Sequence, residues 1–211
     1  MVVSLRSTIR CEQMKRLFDV MVALAAIMLM LPVLTVAATV IRIGSRGSII
    51  FVQKRVGKNG RTFKMYKFRT MVPDAEHTGT GLFSFHDDPR ITKEGRVLRK
   101  YSIDELPQLF NVLKGDMSIV GPRPPVVGEL GEYGALSDRT KVRFTVAPGM
   151  TGLAQIAGRN DLTWEEKITR DLEYVNRYSR MGILEDCRIV WHTIWVVVKA
   201  KSTIEPKRAN A

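Results

Sequence analysis

A run of 22 residues without a charged side chain, residues 20–41, is the feature that most constrains this chain. As an α-helix it would be about 33 Å long at 1.5 Å per residue, which is enough to cross the apolar core of a bilayer. A cleaved signal peptide would have a shorter apolar region, and the basic residues directly after the run disfavour export. A buried helix of a soluble protein would carry charge on at least one side. The run therefore predicts a membrane-embedded helix.

Two features leave the path of this helix open. Pro32 lies in the middle of the run and predicts a kink, because proline removes one helical hydrogen bond and clashes with the preceding turn. Basic residues lie on both sides, and positive flanks tend to stay on the cytoplasmic face. They are Arg6, Arg10, Lys15 and Arg16 before the run, and Arg42, Arg46, Lys54, Arg55, Lys58 and Arg61 after it. A helix that bends near Pro32 and returns to the same face would satisfy both flanks; a transmembrane helix with a tolerated proline is the alternative.

The positive charge of the chain is concentrated around this run. The chain has 33 Lys and Arg against 21 Asp and Glu, a net charge of +12. Residues 1–70 hold 13 of the basic side chains and only two acids, whereas residues 71–211 are almost neutral. A nucleic-acid binder would carry a basic stripe with aromatic residues on a soluble domain, so we expect no nucleic-acid partner. Two distant cysteines and three scattered histidines predict neither a disulfide framework nor a zinc site.

The remainder reads as a small, mainly helical α+β domain. Two short strands, 49–55 and 62–69, are joined by a glycine turn at 57–60 and predict a hairpin. Residues 73–95 are polar and predict a surface loop. Helices are expected at 103–114, 126–143, 163–180 and 183–201. The last of these is apolar but too short to span a membrane, so it is either an interfacial helix with Trp191 and Trp195 at headgroup level or a buried core helix.

Three basic clusters surround one acidic pair, Asp104-Glu105. Lys67 and Arg69 are two apart in a strand and are expected on one face. Arg99 lies in a second cluster with Arg96 and Lys100, and Arg123 lies between prolines in Gly121-Pro122-Arg123-Pro124-Pro125. A single Lys or Arg is most often a solvated charge, but three clusters around one acidic pair predict an anion-binding site.

The acidic pair has two interpretations. Pro107 must lie in a first helical turn, and Ser102-x-x-Glu105 fits a capping box, so the pair is first of all typical of a helix start. A carboxylate at a helix N-terminus near arginines is also expected to keep a low pKa and stay ionised. Such an aspartate can attack phosphorus or hold Mg²⁺. The sequence contains no Walker A, GxGxxG or GxSxG motif.

Four segments resemble those of the bacterial sugar transferase family, the small monotopic polyprenyl-phosphate phosphoglycosyl transferases. They are MKRLFDV at 14–20, GSIIFVQKRVGKNGRTFKMYKFRTM at 47–71, LRKYSIDELPQLFNVLKGDMSIVGPRPP at 98–125, and PGMTGLAQIAGRNDLTWEEKITRDLEYV at 148–175. With the apolar run they cover nearly the whole chain. The block from Asp-Glu-Leu-Pro-Gln-Leu to Gly-Pro-Arg-Pro is highly specific.

The resemblance implies a reaction. A UDP-sugar would bind with Mg²⁺, Asp104 would attack the sugar-linked phosphorus and release UMP, and Glu105 would assist. Polyprenyl (undecaprenyl) phosphate would then take the phosphosugar from the enzyme. The resemblance assigns Mg²⁺ binding to Asp104. It assigns phosphate or substrate binding to Lys67, Arg69, Arg99, Arg123, Gln155 and Asp171.

The resemblance also implies an architecture: a re-entrant membrane helix broken at Pro32 (residues 1–46), a cytosolic catalytic domain (47–201) and a C-terminal tail (202–211). The protein would sit in the bacterial inner membrane, in contact with lipid, with its catalytic domain on the cytoplasmic face. The family often breaks this helix at Ser-Pro, whereas this chain has Leu31-Pro32 and no nearby serine hydroxyl for the freed backbone group. A membrane-anchored lipid-binding protein without catalysis is the other hypothesis, and a homodimer stays open.

Overall fold

The computed structural model describes residues 2–75, 88–158 and 162–198, and its longest element is the N-terminal helix α1, Val2–Gly44. Pro32 lies inside this helix. The Thr35 hydroxyl, one turn later, donates to the carbonyl of Leu31 at 2.9 Å. Back-bonding of this kind tends to bend helices. This hydroxyl bonds the Leu31 carbonyl and not the carbonyl of Met28, which is the group that a proline at position 32 leaves without its helical donor.

One face of α1 packs against the rest of the protein along most of its length. Asp19, Ala23, Leu34, Ala37 and Ile41 are buried, and they recur at the spacing that places side chains on one helix face. The opposite face is exposed and apolar. Its large side chains are Met14, Leu17, Met21, Leu24, Met28, Leu29, Leu31, Val33, Val36, Val40 and Ile43. By length and composition, Glu12–Gly44 is the only described helix that could cross a membrane, with a mean hydropathy of 2.6.

The predicted hairpin is confirmed. Strands β1 (Ile50–Val56) and β2 (Thr62–Phe68) pair antiparallel, with Ile50 opposite Phe68 and Val56 opposite Thr62. A 3₁₀ turn, Lys58–Gly60, connects them, and Asn59 there adopts a left-handed backbone with φ of +55°. Asparagine tolerates this conformation better than other non-glycine residues, so the Asn-Gly pair sets the turn.

The segment around Asp104 is built from shorter pieces than expected. Helix α2 spans Lys93–Lys100, inside and beyond the end of the predicted loop. Residues 76–87 of that loop lie outside the described residues. A 3₁₀ turn, Ile103–Glu105, then precedes helix α3, Gln108–Lys114. Gly115 ends α3 in the left-handed region, and the Arg16 guanidinium of α1 donates to the carbonyls of Val112 and Leu113 in its last turn.

A parallel pair of three-residue strands, which no sequence pattern indicated, brings distant segments together. Strand β3 (Ser118–Val120) pairs with β4 (Gly149–Thr151). A Cβ on Gly149 would lie 2.0 Å from the backbone nitrogen of Gly121, so only glycine permits this approach. The pairing places Gly121-Pro122-Arg123 beside the turn before helix α5, Leu153–Ala157.

The predicted helix over 126–143 is wrong. This segment contains a 3₁₀ turn Tyr133–Ala135, a single-turn helix α4 (Asp138–Lys141) and a 3₁₀ turn Val142–Phe144. Gly128 and Gly131 have φ of +86° and +85°, a conformation that ends any helix.

The two C-terminal helices match the expectation as far as the described residues extend. Helix α6 (Trp164–Met181) begins with a complete capping box between Thr163 and Glu166. Helix α7 spans Ile183–Val198, and the proposed tail lies outside the described residues. One face of α7 is buried and another is exposed, because Ile189 is 1% exposed whereas Trp191 and Trp195 are 70% and 56% exposed. A position of the two tryptophans at headgroup level stays a prediction.

The buried side chains form two clusters, and α1 contributes to both. The first contains Ala23, Met65, Leu109, Val112, Met117, Ile119, Val120, Tyr174 and Ile189. The second contains Leu34, Ala37, Ile41, Phe68 and Leu98. The α+β class is confirmed, and the core is built around α1, the β1–β2 hairpin and α3.

Candidate active site

Asp104 and Glu105 lie in the 3₁₀ turn before α3. Ser102 enters this turn with a left-handed backbone, φ of +56°, and Pro107, which has no N–H to donate, is the N-cap residue of α3. The predicted capping box is wrong, because the Ser102 side chain makes no capping hydrogen bond. Asp104 is buried, whereas the Glu105 carboxylate reaches toward basic side chains. The turn therefore gives two neighbouring carboxylates different surroundings.

Glu105 joins three segments that are distant in sequence. Its Oε1 lies 3.2 Å from Nζ of Lys67 on β2 and 2.7 Å from Nη2 of Arg123, the arginine between prolines. Burial lowers the pKa of Lys67 and the Glu105 charge opposes this, while Glu105 raises the pKa of Arg123. The structure thus brings two of the three predicted basic clusters onto one carboxylate of the acidic pair.

The carboxyl group of Asp104 does not have the low pKa that the sequence suggested. Burial, and next the negative charge of Glu105, raise its pKa from 3.8 to about 6. Lys67, Arg99 and Arg123 act in the opposite direction. The expected low pKa was wrong because Asp104 is only 9% exposed, and burial outweighs the nearby cations from which a low pKa was expected. At pH 7 a group with this pKa is still about nine-tenths ionised, and it keeps the basicity that favours attack on phosphorus.

Arg99 and Arg69 have different surroundings. Arg99 Nε donates to the Thr70 hydroxyl at 2.9 Å, and Arg99 is one of the cations that act on Asp104. Arg69 lies beyond the end of β2 and donates to the carbonyls of Ser45 and Arg46 at 2.9 and 2.7 Å, where α1 has just ended. Lys67 and Arg69 therefore do not meet at one site, because the strand ends at Phe68 between them.

Gln155 and Asp171 are both buried. Gln155 lies on α5, is 5% exposed, and neither atom of its side-chain amide has a hydrogen-bond partner among the described residues. Asp171 on α6 is 1% exposed and pairs with Arg143. The binding roles implied for these two residues stay predictions.

Two buried side chains near the site carried no recognisable sequence signal. Asn111 of α3 accepts from the backbone N–H of Tyr66 at 2.9 Å and donates to the carbonyl of Lys64 at 2.7 Å. It therefore fixes β2 next to Lys67. Arg143 lies in a 3₁₀ turn and contacts both Asp171 and the Arg123 backbone. Hydropathy and spacing identify neither, since both are single polar residues in apolar surroundings.

The arrangement fits the chemistry of phosphoryl transfer. A buried carboxylate can act as a nucleophile toward phosphorus, and the guanidinium and ammonium groups around it can bind phosphate oxygens. Among the described residues, no group of three or more His, Cys, Asp or Glu could form a metal site of its own. A carboxylate pair does suit Mg²⁺, which commonly uses one or two carboxylates together with substrate phosphates.

The sequence was compared with known protein families. The model of the family described as bacterial sugar transferase matches residues 10–200. The chain belongs to the bacterial sugar transferase family. The family assignment and the prediction of a transferase are thereby confirmed.

Relatives within the sugar transferase family carry informative names. The galactosyl transferase CpsE of Streptococcus agalactiae is 49% identical over 72% of this chain and 35% of its own length. The exopolysaccharide production protein ExoY of Sinorhizobium fredii is 38% identical over 90% of this chain and 87% of its own length. The UDP-glucose:undecaprenyl-phosphate glucose-1-phosphate transferase of Klebsiella pneumoniae is 41% identical over 86% of this chain and 39% of its own length. The chain therefore spans little more than a third of two of these relatives and most of ExoY.

Proposed function

We propose that this protein transfers a sugar 1-phosphate from a UDP-sugar to undecaprenyl phosphate, the first membrane step in the assembly of a polysaccharide. The observation that carries the proposal is a buried Asp104 carboxyl beside Glu105, with Lys67, Arg99 and Arg123 acting on it. The names of the relatives supply the substrate class, because they include a UDP-galactose-lipid carrier transferase and undecaprenyl-phosphate glucose transferases.

The reaction has two displacements at one phosphorus. In the first, a carboxylate oxygen of Asp104 bonds to the sugar-linked phosphorus, the bond from that phosphorus to the bridging oxygen breaks, and UMP leaves. In the second, an oxygen of undecaprenyl phosphate bonds to the same phosphorus and the bond to Asp104 breaks. The products are undecaprenyl-diphospho-sugar and the free carboxylate. Two phosphate-bearing substrates must be held in turn, which explains why several cations surround one ionised aspartate.

The other side chains have distinct tasks in this reaction. Glu105 keeps Lys67 and Arg123 at the site by sharing one oxygen between them. These cations stabilise the charge that develops on the phosphate oxygens, and such preorganised groups are a large source of rate enhancement. Mg²⁺ would be held by Asp104 with substrate phosphate oxygens, and it would supply neutralisation of the diphosphate charge. Gln155 remains a proposed binding residue on the basis of the family resemblance.

We also propose that α1 is re-entrant and leaves both of its ends on the cytoplasmic face of the inner membrane. Its first part contacts the catalytic region, since Glu12 pairs with Lys58 at 3.0 Å and Arg16 donates to Leu113. Its last part contacts the same region, since Arg69 donates to Ser45 and Ile41 is buried in the second cluster. Contacts of both parts with one region favour a helix whose two ends stay on the same face of the bilayer. Pro32 and the Thr35 back-bond favour a bend between them.

The activity is tested by UMP release from purified protein in detergent, with UDP-galactose and UDP-glucose among the donors. We expect UMP only when a suitable donor and Mg²⁺ are present, and a phosphosugar on the protein when undecaprenyl phosphate is omitted. Asp104→Asn should abolish both, whereas Asp138→Asn, on the exposed first turn of α4, should change neither. Full turnover by Asp104→Asn would overturn the mechanism, and a protein that binds lipid but releases no UMP would support the lipid-binding hypothesis.

The topology is tested separately. Single cysteines at Leu5 and Arg46, in a variant with Cys11 and Cys187 replaced by serine, are labelled from outside intact spheroplasts and after lysis. We expect both to react only after lysis. Labelling of one position from outside would show a true transmembrane span.

A further inference from the structure

A buried arginine lies directly behind the segment that carries Arg123. The Arg143 side chain is 1% exposed, and its Nε and Nη2 both lie 2.8 Å from Oδ2 of Asp171. Nη2 also donates to the backbone carbonyl of Arg123 at 2.7 Å. One guanidinium thus connects α6 to the backbone between Pro122 and Pro124.

Aromatic rings hold this guanidinium in place. Its central carbon lies 5.0 Å from the ring centre of Phe144 and 5.6 Å from that of Trp164. Arginine stacks on such rings, and its planar fork loses little freedom when it makes several directed bonds. The Arg143 guanidinium is therefore held by directed hydrogen bonds and lies close to two aromatic rings.

Stability alone does not account for an ion pair at this position. A buried ion pair usually adds little to stability compared with apolar side chains of similar volume, because of the cost of removing two charges from water. An apolar pair could not supply the hydrogen bond that Arg143 donates to the backbone carbonyl of Arg123. From that carbonyl the contacts continue through the Arg123 guanidinium to Glu105, at 2.7 Å, beside Asp104.

We propose that Arg143 and Asp171 are positioning residues of the transferase, which fix the Arg123 backbone so that its guanidinium meets substrate phosphate beside Asp104. This inference rests on the proposed function of Arg123. It changes the role of Asp171, which acts through Arg143 and does not touch the substrate.

The test replaces the pair without leaving a buried charge. In Arg143→Met/Asp171→Leu both charges are removed together, so the protein is expected to fold, and its melting temperature is measured to check this. The kcat of UMP release should nevertheless fall about 100-fold, a loss typical of one misplaced transition-state donor. Arg139→Ala, which removes an exposed arginine paired with Glu165, is the control and should leave kcat unchanged.

A double-mutant cycle separates positioning from direct contact. If the pair acts only by placing Arg123, then adding Arg143→Met/Asp171→Leu to Arg123→Ala should lower kcat by less than about 3-fold. Asp171→Asn, which keeps an acceptor oxygen for Arg143, should lose much less activity than Asp171→Ala. The proposal is overturned if the pair variant keeps the wild-type kcat. It is also overturned if the loss of kcat in the combined variant equals the product of the losses in Arg123→Ala and in the pair variant, or if Asp171→Asn and Asp171→Ala lose the same activity.

A readout that needs no activity distinguishes this proposal from the proposed function. The Gly149 N–H donates to the carbonyl of Pro122 at 2.9 Å, so its hydrogen exchange reports on the order of the Arg123 segment. We expect faster exchange in the pair variant and unchanged exchange in Arg139→Ala. A wild-type protein that releases no UMP from any donor refutes the proposed function alone, whereas unchanged exchange in the pair variant refutes the positioning role.

Discussion

Replacing Asp104 by asparagine should stabilise the protein while it abolishes the activity. Burial raises the pKa of the Asp104 carboxyl from 3.8 to about 6. The folded protein therefore binds this proton more tightly than the unfolded chain does, and ionisation of Asp104 opposes folding. The penalty grows as pH rises from 4 to 6 and is fully present above pH 6. A shift of about two pKa units corresponds to about 3 kcal/mol.

Asparagine has nearly the same shape as aspartate and carries no charge. At pH 8 we expect Asp104→Asn to raise the free energy of unfolding by about 3 kcal/mol, which for a protein of this size raises the melting temperature by about 6–12 °C. At pH 5 the wild-type carboxyl is mostly protonated, so the gain should shrink to about 1.5 kcal/mol.

The assay is unfolding of both proteins in one detergent at pH 8 and pH 5, by heat and by denaturant. Asp138→Asn is the matched control, because Asp138 is exposed and a surface change of this kind usually alters stability by less than about 0.5 kcal/mol. The reasoning is refuted if Asp104→Asn is less stable than the wild type at pH 8. It is equally refuted if the gain is the same at both pH values, because the effect would then have no link to ionisation.

Three further predictions follow from the same geometry. UMP release should fall as pH drops through about 6, where Asp104 takes up its proton. Glu105→Gln should move this fall in activity to lower pH, because it removes a charge that raises the pKa of Asp104. A fall at the same or a higher pH would contradict this. Lys15→Met should lower the free energy of unfolding, measured by denaturant titration, by about 3 kcal/mol. The fully buried Asp186 carboxylate lies 2.7 Å from the lysine ammonium and would lose that cation. A loss below about 1 kcal/mol would show that water reaches the Asp186 carboxylate. Gly47→Ala should lower the melting temperature, because Gly47 has φ of +117° and a Cβ there would lie 2.2 Å from a guanidinium nitrogen; an unchanged melting temperature would contradict that close approach.

Local rules predicted the elements whose ends carry their own signals. The hairpin was predictable because Asn59-Gly60 supplies the left-handed backbone of the turn, and α6 because Thr163 and Glu166 form a capping box. The predicted helix over 126–143 was wrong for a local reason too, since Gly128 and Gly131 adopt positive φ. In each case the decisive information lay within a few residues.

The sequence was enough to predict which charged residues form the candidate site, but not which residues contact one another there. The sequence predicted Lys67, Arg123 and the acidic pair at one site, and the structure brings them together at Glu105. It did not predict that Arg69 would donate to a backbone carbonyl just after α1, or that Arg143 would donate to the backbone carbonyl of Arg123. Those contacts depend on the β3–β4 pairing and on the packing of α1. Both bring distant segments together through single residues, and single residues leave no periodic pattern in the sequence.

Two of the basic residues that precede the apolar run contact the rest of the protein. Lys15 pairs with Asp19 and with the buried Asp186 of α7, and Arg16 donates to the last turn of α3. The first turn of α3 directly follows the 3₁₀ turn that carries Asp104. Because α3 is a short rigid helix held at its far end by α1, the position of α1 sets the position of the acidic pair. In the proposed reaction, a lipid-embedded α1 would thereby place Asp104 at the depth where a lipid phosphate lies, which gives a physical reason why α1 and the acidic pair share one core.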